Sequence, residues 1–272
     1  MFILDTIQGA KTISVQRLTN DEKDNPQPKS VELSPGASLQ SDDLIETGPN
    51  VSVRVIYPDG SVVVVGRSSK FYVVSIPAKQ SRKELYGGEL VNGQIRSIVR
   101  RSGVVNVNMR KRYRFVIKTK SAVMGVRGTD FVVEAPGENP IELHSFYGQV
   151  DLGVNSKNIM KESGKPGVDF VTVNRNQFVS VLSGQASLPT PKEFDPEQYA
   201  QKLNTQQPDM NMLAEKALPD QFLNEGSVSP GQTETQSGAG KKSDNYYINK
   251  AQQAIEGAIK AEQQKLDKAG GR

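Results

Sequence analysis

Cysteine and tryptophan are both absent from the 272-residue chain, and histidine occurs once, at His144. Without cysteine there is no disulfide framework, no thiolate metal site and no nucleophilic thiol. One histidine leaves no multi-histidine metal site, and a Ser-His-Asp triad would have to use it. His144 sits in the strand-like run Ile141-Glu142-Leu143-His144-Ser145 with no motif around it. Aromatic residues make up 6% of the chain, too few to promise a sugar-stacking surface. Nothing in the pattern sets two carboxylates at facing strand ends, as glycoside hydrolysis requires. Neither GxGxxG nor a P-loop occurs, and Asp21-Glu22-Lys23-Asp24 lacks the glycine and distal glutamate of a calcium loop. These absences assign no catalytic residue, no metal ligand and no cofactor, and they leave a hydrolase built on His144 or a carboxylate pair as the least supported class.

Long apolar runs are missing too. None approaches the roughly 18 residues that span a bilayer, so no membrane-spanning helix is expected. Met1-Phe2-Ile3-Leu4-Asp5 has neither a basic n-region nor an apolar h-region. A strand-like run begins almost at once, at Lys11, so either the natural start lies upstream or the protein is not exported.

Charge is present but unevenly placed. The formal net charge is +4. Arg96, Arg100, Arg101, Arg110, Lys111, Arg112, Arg114, Lys118 and Lys120 fall within 25 residues that hold no acid. This basic stretch could bind nucleic acid or an anionic envelope polymer, with Arg110, Lys111, Arg112 and Arg114 as its densest part. Only Tyr113 and Phe115 interleave it, which is thin for single-strand binding. The structural alternative is an edge strand guarded by cations against aggregation.

What the chain does have is short β-like runs punctuated by turns. Thr12 to Leu18 alternates, and the polar cluster Thr19 to Ser30, with two prolines, reads as a surface loop. Val51 to Val55 and Ser61 to Val65 flank Pro58-Asp59-Gly60, a strong hairpin signal because the turn needs positive φ. Val62-Val63-Val64-Val65 is uninterrupted, which predicts a central strand buried on both faces. A phrase recurs in which Gly-Gln is set between apolar residues, at Gly93-Gln94, Gly148-Gln149 and Gly184-Gln185. Its unequal spacing fits a β-roll with glycine at each corner rather than a repeat array.

The centre of the pattern is Phe115 to Glu134, two β-like runs joined by Met124-Gly125-Val126-Arg127-Gly128-Thr129-Asp130. Two glycines three apart read as a tight crossing of the backbone. Arg127 either projects into a cleft to bind an anionic partner or is buried against a carboxylate such as Asp42, Asp43 or Asp59.

The segment Ala122 to Phe131, with Arg127-Gly128-Thr129 at its heart, closely resembles the signature of the FecR domain family. Asp42 to Gly48 is similar to that family's strand ending in Thr-Gly. The resemblance implies a non-enzymatic sensing or scaffold module outside the cytoplasm, periplasmic or secreted, with a protein partner. Classical members regulate an extracytoplasmic sigma factor through a cytoplasmic segment and a membrane helix, and neither is visible in this chain. A cytoplasmic location stays open. Gly125, Arg127, Gly128 and Thr129 are the residues the resemblance singles out, for architecture or for partner binding; no small-molecule substrate is evident.

Beyond Leu188 the composition shifts. Pro189, Pro191 and Pro196 mark a linker over 189–243, weakly helical from Pro196 to Ala217 with a break at Pro208, then disordered from Gly226 to Ser243. Asp244 could cap an amphipathic helix over 244–268, ended by Gly270-Gly271. The expectation is a mainly β domain over 5–188, a roll or sandwich of short strands, with a partly disordered tail carrying one or two helices.

Overall fold

The computed structural model describes residues 1–20, 26–76, 85–100, 115–126, 128–137, 140–154, 170–182, 184–185 and 187–215. The strands fall into two facing sheets that share one long strand, β9 (Leu85–Ile98). Sheet I runs β4 (Ser38–Leu39), β1 (Phe2–Gln8), β6 (Ser52–Ile56), β7 (Val62–Val65), then the C-terminal half of β9. It continues through β12 (Asp130–Ala135), β13 (Ile141–Tyr147), β16 (Gln177–Val181) and β17 (Lys192–Glu193). Sheet II runs β3 (Pro26–Leu33), β2 (Ile13–Asn20), β5 (Leu44–Glu46), β8 (Lys70–Ile76), then the N-terminal half of β9. It continues through β10 (Phe115–Lys118), β11 (Ala122–Val126), β14 (Val150–Val154) and β15 (Phe170–Val173). Every pairing is antiparallel except β9 with β10. The mainly β roll expected from the sequence is the fold found.

The chain crosses repeatedly between the sheets, and residues with positive φ mark the crossings. Gly9 (φ 88°), Ser68 (φ 52°), Gly93 (φ 98°), Gly128 (φ 69°), Gly148 (φ 76°) and Asn176 (φ 60°) each lie where one sheet gives way to the other. Gly93 divides β9 itself: Leu85 to Asn92 pair with β8, and Ile95 to Ile98 pair with β7. A side chain at Gly93 would meet Ser69, whose Oγ accepts from the Gln94 N–H at 3.0 Å, so the glycine is needed for space as well as for its dihedral. All three glycines of the Gly-Gln phrase have positive φ; Gly93 and Gly148 take the corner role inferred from sequence, whereas Gly184 turns between β16 and β17 of the same sheet.

Between the sheets lies a core of Val, Ile, Leu and Phe, including Leu4, Val15, Ile45, Phe71, Ile95, Phe115, Phe131 and Leu143. β6 and β7 form the hairpin, with Gly60 at φ 80° in the turn and Val53 opposite Val65. β7 is buried on both faces. Val63 and Val65 join the core, while Val62 and Val64 join a second cluster on the outer face of sheet I. That outer face is covered by two helices, α1 (Pro196–Gln206) and α2 (Pro208–Glu215). Asp195 caps α1, accepting from the N–H groups of Glu197 and Gln198 at 2.9 and 3.3 Å, and Pro196 takes the first helical position. Pro208 separates the helices as expected. Tyr199, Leu203, Met210, Leu213 and Ala214 pack on Val62, Val64, Ile98 and Val132.

Two sequence expectations require correction. Thr19, Asn20 and Pro26 to Ser30 are not loop: they extend the β2–β3 hairpin, with Asn20 opposite Pro26 and Leu18 opposite Pro28. β3 is the edge of sheet II, where a proline without an N–H costs the ladder nothing on its solvent side. Phe2–Gln8, not Thr12, begins the first strand, pairing with β4 and β6 inside sheet I. The stretch Gly226 to Ser243, expected to be disordered, and the helix expected over 244–268 lie outside the described residues.

Candidate functional site

The Arg127-Gly128-Thr129 segment joins β11 in sheet II to β12 in sheet I. Gly125 lies within β11 between Val116 on β10 and Asp151 on β14. Gly128 carries the positive φ of the turn. Thr129 is buried and bonded to Val99 through both backbone groups, at 2.8 and 3.2 Å. The corner at Gly148 sits directly on this one: a Cβ there would lie 2.5 Å from the Gly128 carbonyl oxygen and 2.7 Å from Thr129 Cγ2. Gly128 and Thr129 are thus packed into the backbone crossing, and Gly125 into the β11 ladder. Arg127 lies outside the described residues. Of the three carboxylates expected beside it, Asp43 is paired with Arg17, through Nε at 2.8 Å and Nη2 at 2.7 Å. Asp59 accepts from the N–H and hydroxyl of Ser61 in its own turn.

Thr47, the threonine of the Thr-Gly segment, is buried at the crossing before β6. Its hydroxyl donates to the Gly66 carbonyl at 2.6 Å and accepts from the Ser69 N–H at 2.8 Å. A hydroxyl that satisfies two buried backbone groups explains why threonine, and not valine, stands there.

The basic stretch is not uniformly a surface. Arg96 forms a two-pronged ion pair with Asp130, at 3.0 and 2.7 Å, donates to Asn211 Oδ1 at 2.6 Å, and lies 5.1 Å from the Phe146 ring centre. Lys118 stands 3.5 Å from Glu89, and burial pushes the Glu89 carboxyl up against the opposing pull of Lys118. Arg96 and Lys118, among the described cations of the stretch, are thus engaged within the fold. Lys120 and Arg100 are exposed. Arg110, Lys111, Arg112 and Arg114 lie outside the described residues.

The densest group of titratable side chains was not singled out from sequence. It lies on the outer face of sheet I, beneath α1. Glu134 on β12 stands opposite Glu142 on β13, and His144 shares that face two residues along. His144 Nε2 is 3.1 Å from Glu142 Oε2; an ionised carboxylate only accepts, so the hydrogen sits on Nε2. The imidazole stacks on Tyr199 at 4.0 Å and on Phe178 at 5.2 Å, with Phe194 edge-on at 5.1 Å. The Tyr199 hydroxyl donates to Glu134, and Lys202 approaches Glu134 at 3.9 Å. Burial, reinforced by Glu134, pushes the Tyr199 phenol far above its usual range, so it remains a donor.

Glu134, Glu142 and His144 offer atoms within 4.8 Å of one another. The arrangement does not suit a cation. Lys202 and the Tyr199 hydroxyl already serve Glu134, and an imidazole bound through Nε2 would carry its proton on Nδ1, which is buried with no acceptor among the described residues. The cluster is an ion-pair and stacking contact that fastens α1 to the sheet. Around it, Arg67 bonds Asp209 at 2.5 Å, the Arg67 N–H donates to Gln207 Oε1 at 2.7 Å, and Arg54 donates to the Leu213 carbonyl at 3.2 Å. Pairs separated by more than a hundred positions leave no local signal, which is why the sequence did not reveal them.

Residues 43–151 match the family model described as FecR protein. The match runs from Asp43 to Asp151 and takes in Arg96, Asp130, Glu134, Glu142 and His144; Arg17 and both helices lie beyond it. Two solved structures described as a "putative anti-sigma factor" from Parabacteroides distasonis align with 17% and 18% identity and a TM-score of 0.43. Each alignment covers 59% of this chain, and this chain spans 64% of the length of each. The comparison with curated proteins finds no match.

Proposed function

Because residues 43–151 form a FecR domain, we propose that this protein is a non-enzymatic binding or sensing module of the bacterial cell envelope, acting by protein–protein contact outside the cytoplasm. The observation that carries this reading is the family match over residues 43–151, which takes in the Arg127-Gly128-Thr129 segment. Gly128 and Thr129 are buried at the crossing, which supports an architectural role for them and a partner met elsewhere on the scaffold. His144 is roofed by Tyr199 and bonded to Glu142, which supports a structural rather than a catalytic role for the one histidine. No helix among the described residues is long and apolar enough to cross a membrane.

The test is crosslinking in cells, with the captured species identified and the complex rebuilt from purified components. Three chains are compared: the intact one, one ending at Glu215, and one with Arg110, Lys111, Arg112 and Arg114 changed to alanine. The reading predicts a defined protein partner that survives the fourfold change. Polysaccharide or nucleic acid captured instead, lost with that change and with a steep salt dependence, would move the function to polymer binding. A hydrolytic turnover abolished by His144→Gln would contradict the non-enzymatic assignment.

A further inference from the structure

The imidazole of His144 lies at the contact between the sheet and the helices, and its two nitrogens are treated very differently. Nε2 donates to Glu142. Nδ1 is buried, and no described residue accepts from it or donates to it. While the ring is neutral, Nδ1 is a bare lone pair among aromatic faces, a modest cost. A second proton would place an N–H there without an acceptor and a charge in a layer formed by Tyr199, Phe178 and Phe194.

The charged groups facing the ring are Glu142 from its own strand, Glu134 from β12 and Lys202 from α1, which also brings the Tyr199 phenol. β16 and the segment before α1 bring the rings of Phe178 and Phe194. The carboxylates favour an imidazolium; Lys202 opposes it, and Glu134 is already engaged by Tyr199 and Lys202. Burial is the largest influence and holds the His144 pKa below its ordinary value. Two of the three rings against His144, Tyr199 and Phe194, belong to α1 and its lead-in, so lifting that element brings the imidazole to water.

We propose that His144 makes the docking of α1 and α2 on sheet I sensitive to acid, so that protonating this one ring loosens the helix pair. A histidine whose folded pKa is depressed contributes stability that is complete above its unfolded pKa and is lost as pH falls through the folded value. Docking is therefore firm at neutral pH and weakens below about pH 6.5, the ordinary histidine value. Loosening bares Val62, Val64, Ile98 and Val132, an apolar strip now covered by Leu203, Met210 and Leu213. The inference adds an acid response to the binding module without depending on a partner, since it is measured on the purified chain alone.

Having one histidine makes the test direct, because the protein has a single imidazole Hε1 signal in proton NMR. Its titration midpoint is expected below about 6.5. Hydrogen exchange of the α1 amides, corrected for the intrinsic pH dependence, is expected to be faster at about pH 5.5 than at about pH 7.5 by up to about tenfold, the ceiling set by how far the lower pH lies below the ordinary histidine value. His144→Phe keeps an aromatic ring in the stack and is expected to remove that pH dependence. A midpoint at or above the ordinary value overturns the proposal, as does acid-enhanced exchange that persists in His144→Phe, which would assign the response to the carboxylates. If that variant does not fold, the wild-type titration still decides.

Discussion

The crossing at Gly128 and the helix-covered face of sheet I lie on the same strand, β12, and are held by different physics. At the crossing, the backbone does the work: positive φ at Gly128 and Gly148, contact between the two corners, and reciprocal bonds between Thr129 and Val99. On the outer face, side chains from distant parts of the chain meet: Arg96 with Asp130 and Asn211, Arg67 with Asp209, and Tyr199 with Glu134 and His144. The first region carries a recognisable motif because its glycines and threonine are each fixed by their own backbone position. The second depends on partners that only the folded chain brings together.

Breaking the face should cost most. Asp130→Ala leaves Arg96, nearly buried, without its carboxylate, and is expected to lower unfolding stability by about 3–5 kcal/mol in a denaturant titration. A loss near zero would mean that Arg96 finds water instead. At the crossing, Gly148→Ala puts a Cβ against the Gly128 carbonyl at a positive φ, with an expected loss of about 1–3 kcal/mol. Thr47→Val removes the hydroxyl between Gly66 and Ser69 while keeping shape, for about 1–3 kcal/mol by the same titration. Lys70→Ala serves as the control. Its pair with Glu46 is largely exposed, and its removal is expected to change stability by about 0–1 kcal/mol.

The same contrast explains how much could be read from the sequence. Pro58-Asp59-Gly60 between valine-rich runs predicted the β6–β7 hairpin, and four consecutive valines predicted a strand buried on both faces. The Gly-Gln phrase marked corners because positive φ is a property of single residues. Phe2–Gln8 escaped because its ladder with β6 shifts register between Leu4 and Thr6, and the bulge breaks the period-two pattern. Pro26 and Pro28 suggested a loop because the sequence does not announce that β3 is an edge. The weak helical pattern of Pro196 to Ala217 was visible, but not its docking, since Tyr199 finds Glu134 and His144 only through tertiary contact. The basic stretch looked uniform because the acids that pair with Arg96 and Lys118 lie outside it.

That docking has a practical consequence: a chain ending at Leu188 removes both helices and uncovers Val62, Val64, Ile98 and Val132, whereas one ending at Glu215 keeps them covered. The outer face of sheet I requires α1 and α2, and equilibrium unfolding of these two chains side by side tests that requirement. The expected result is a cooperative transition for the chain ending at Glu215, and a markedly lower midpoint or aggregation for the one ending at Leu188. Equal midpoints and equal solubility would contradict the claim and reduce the helix pair to an attachment that the roll does not need.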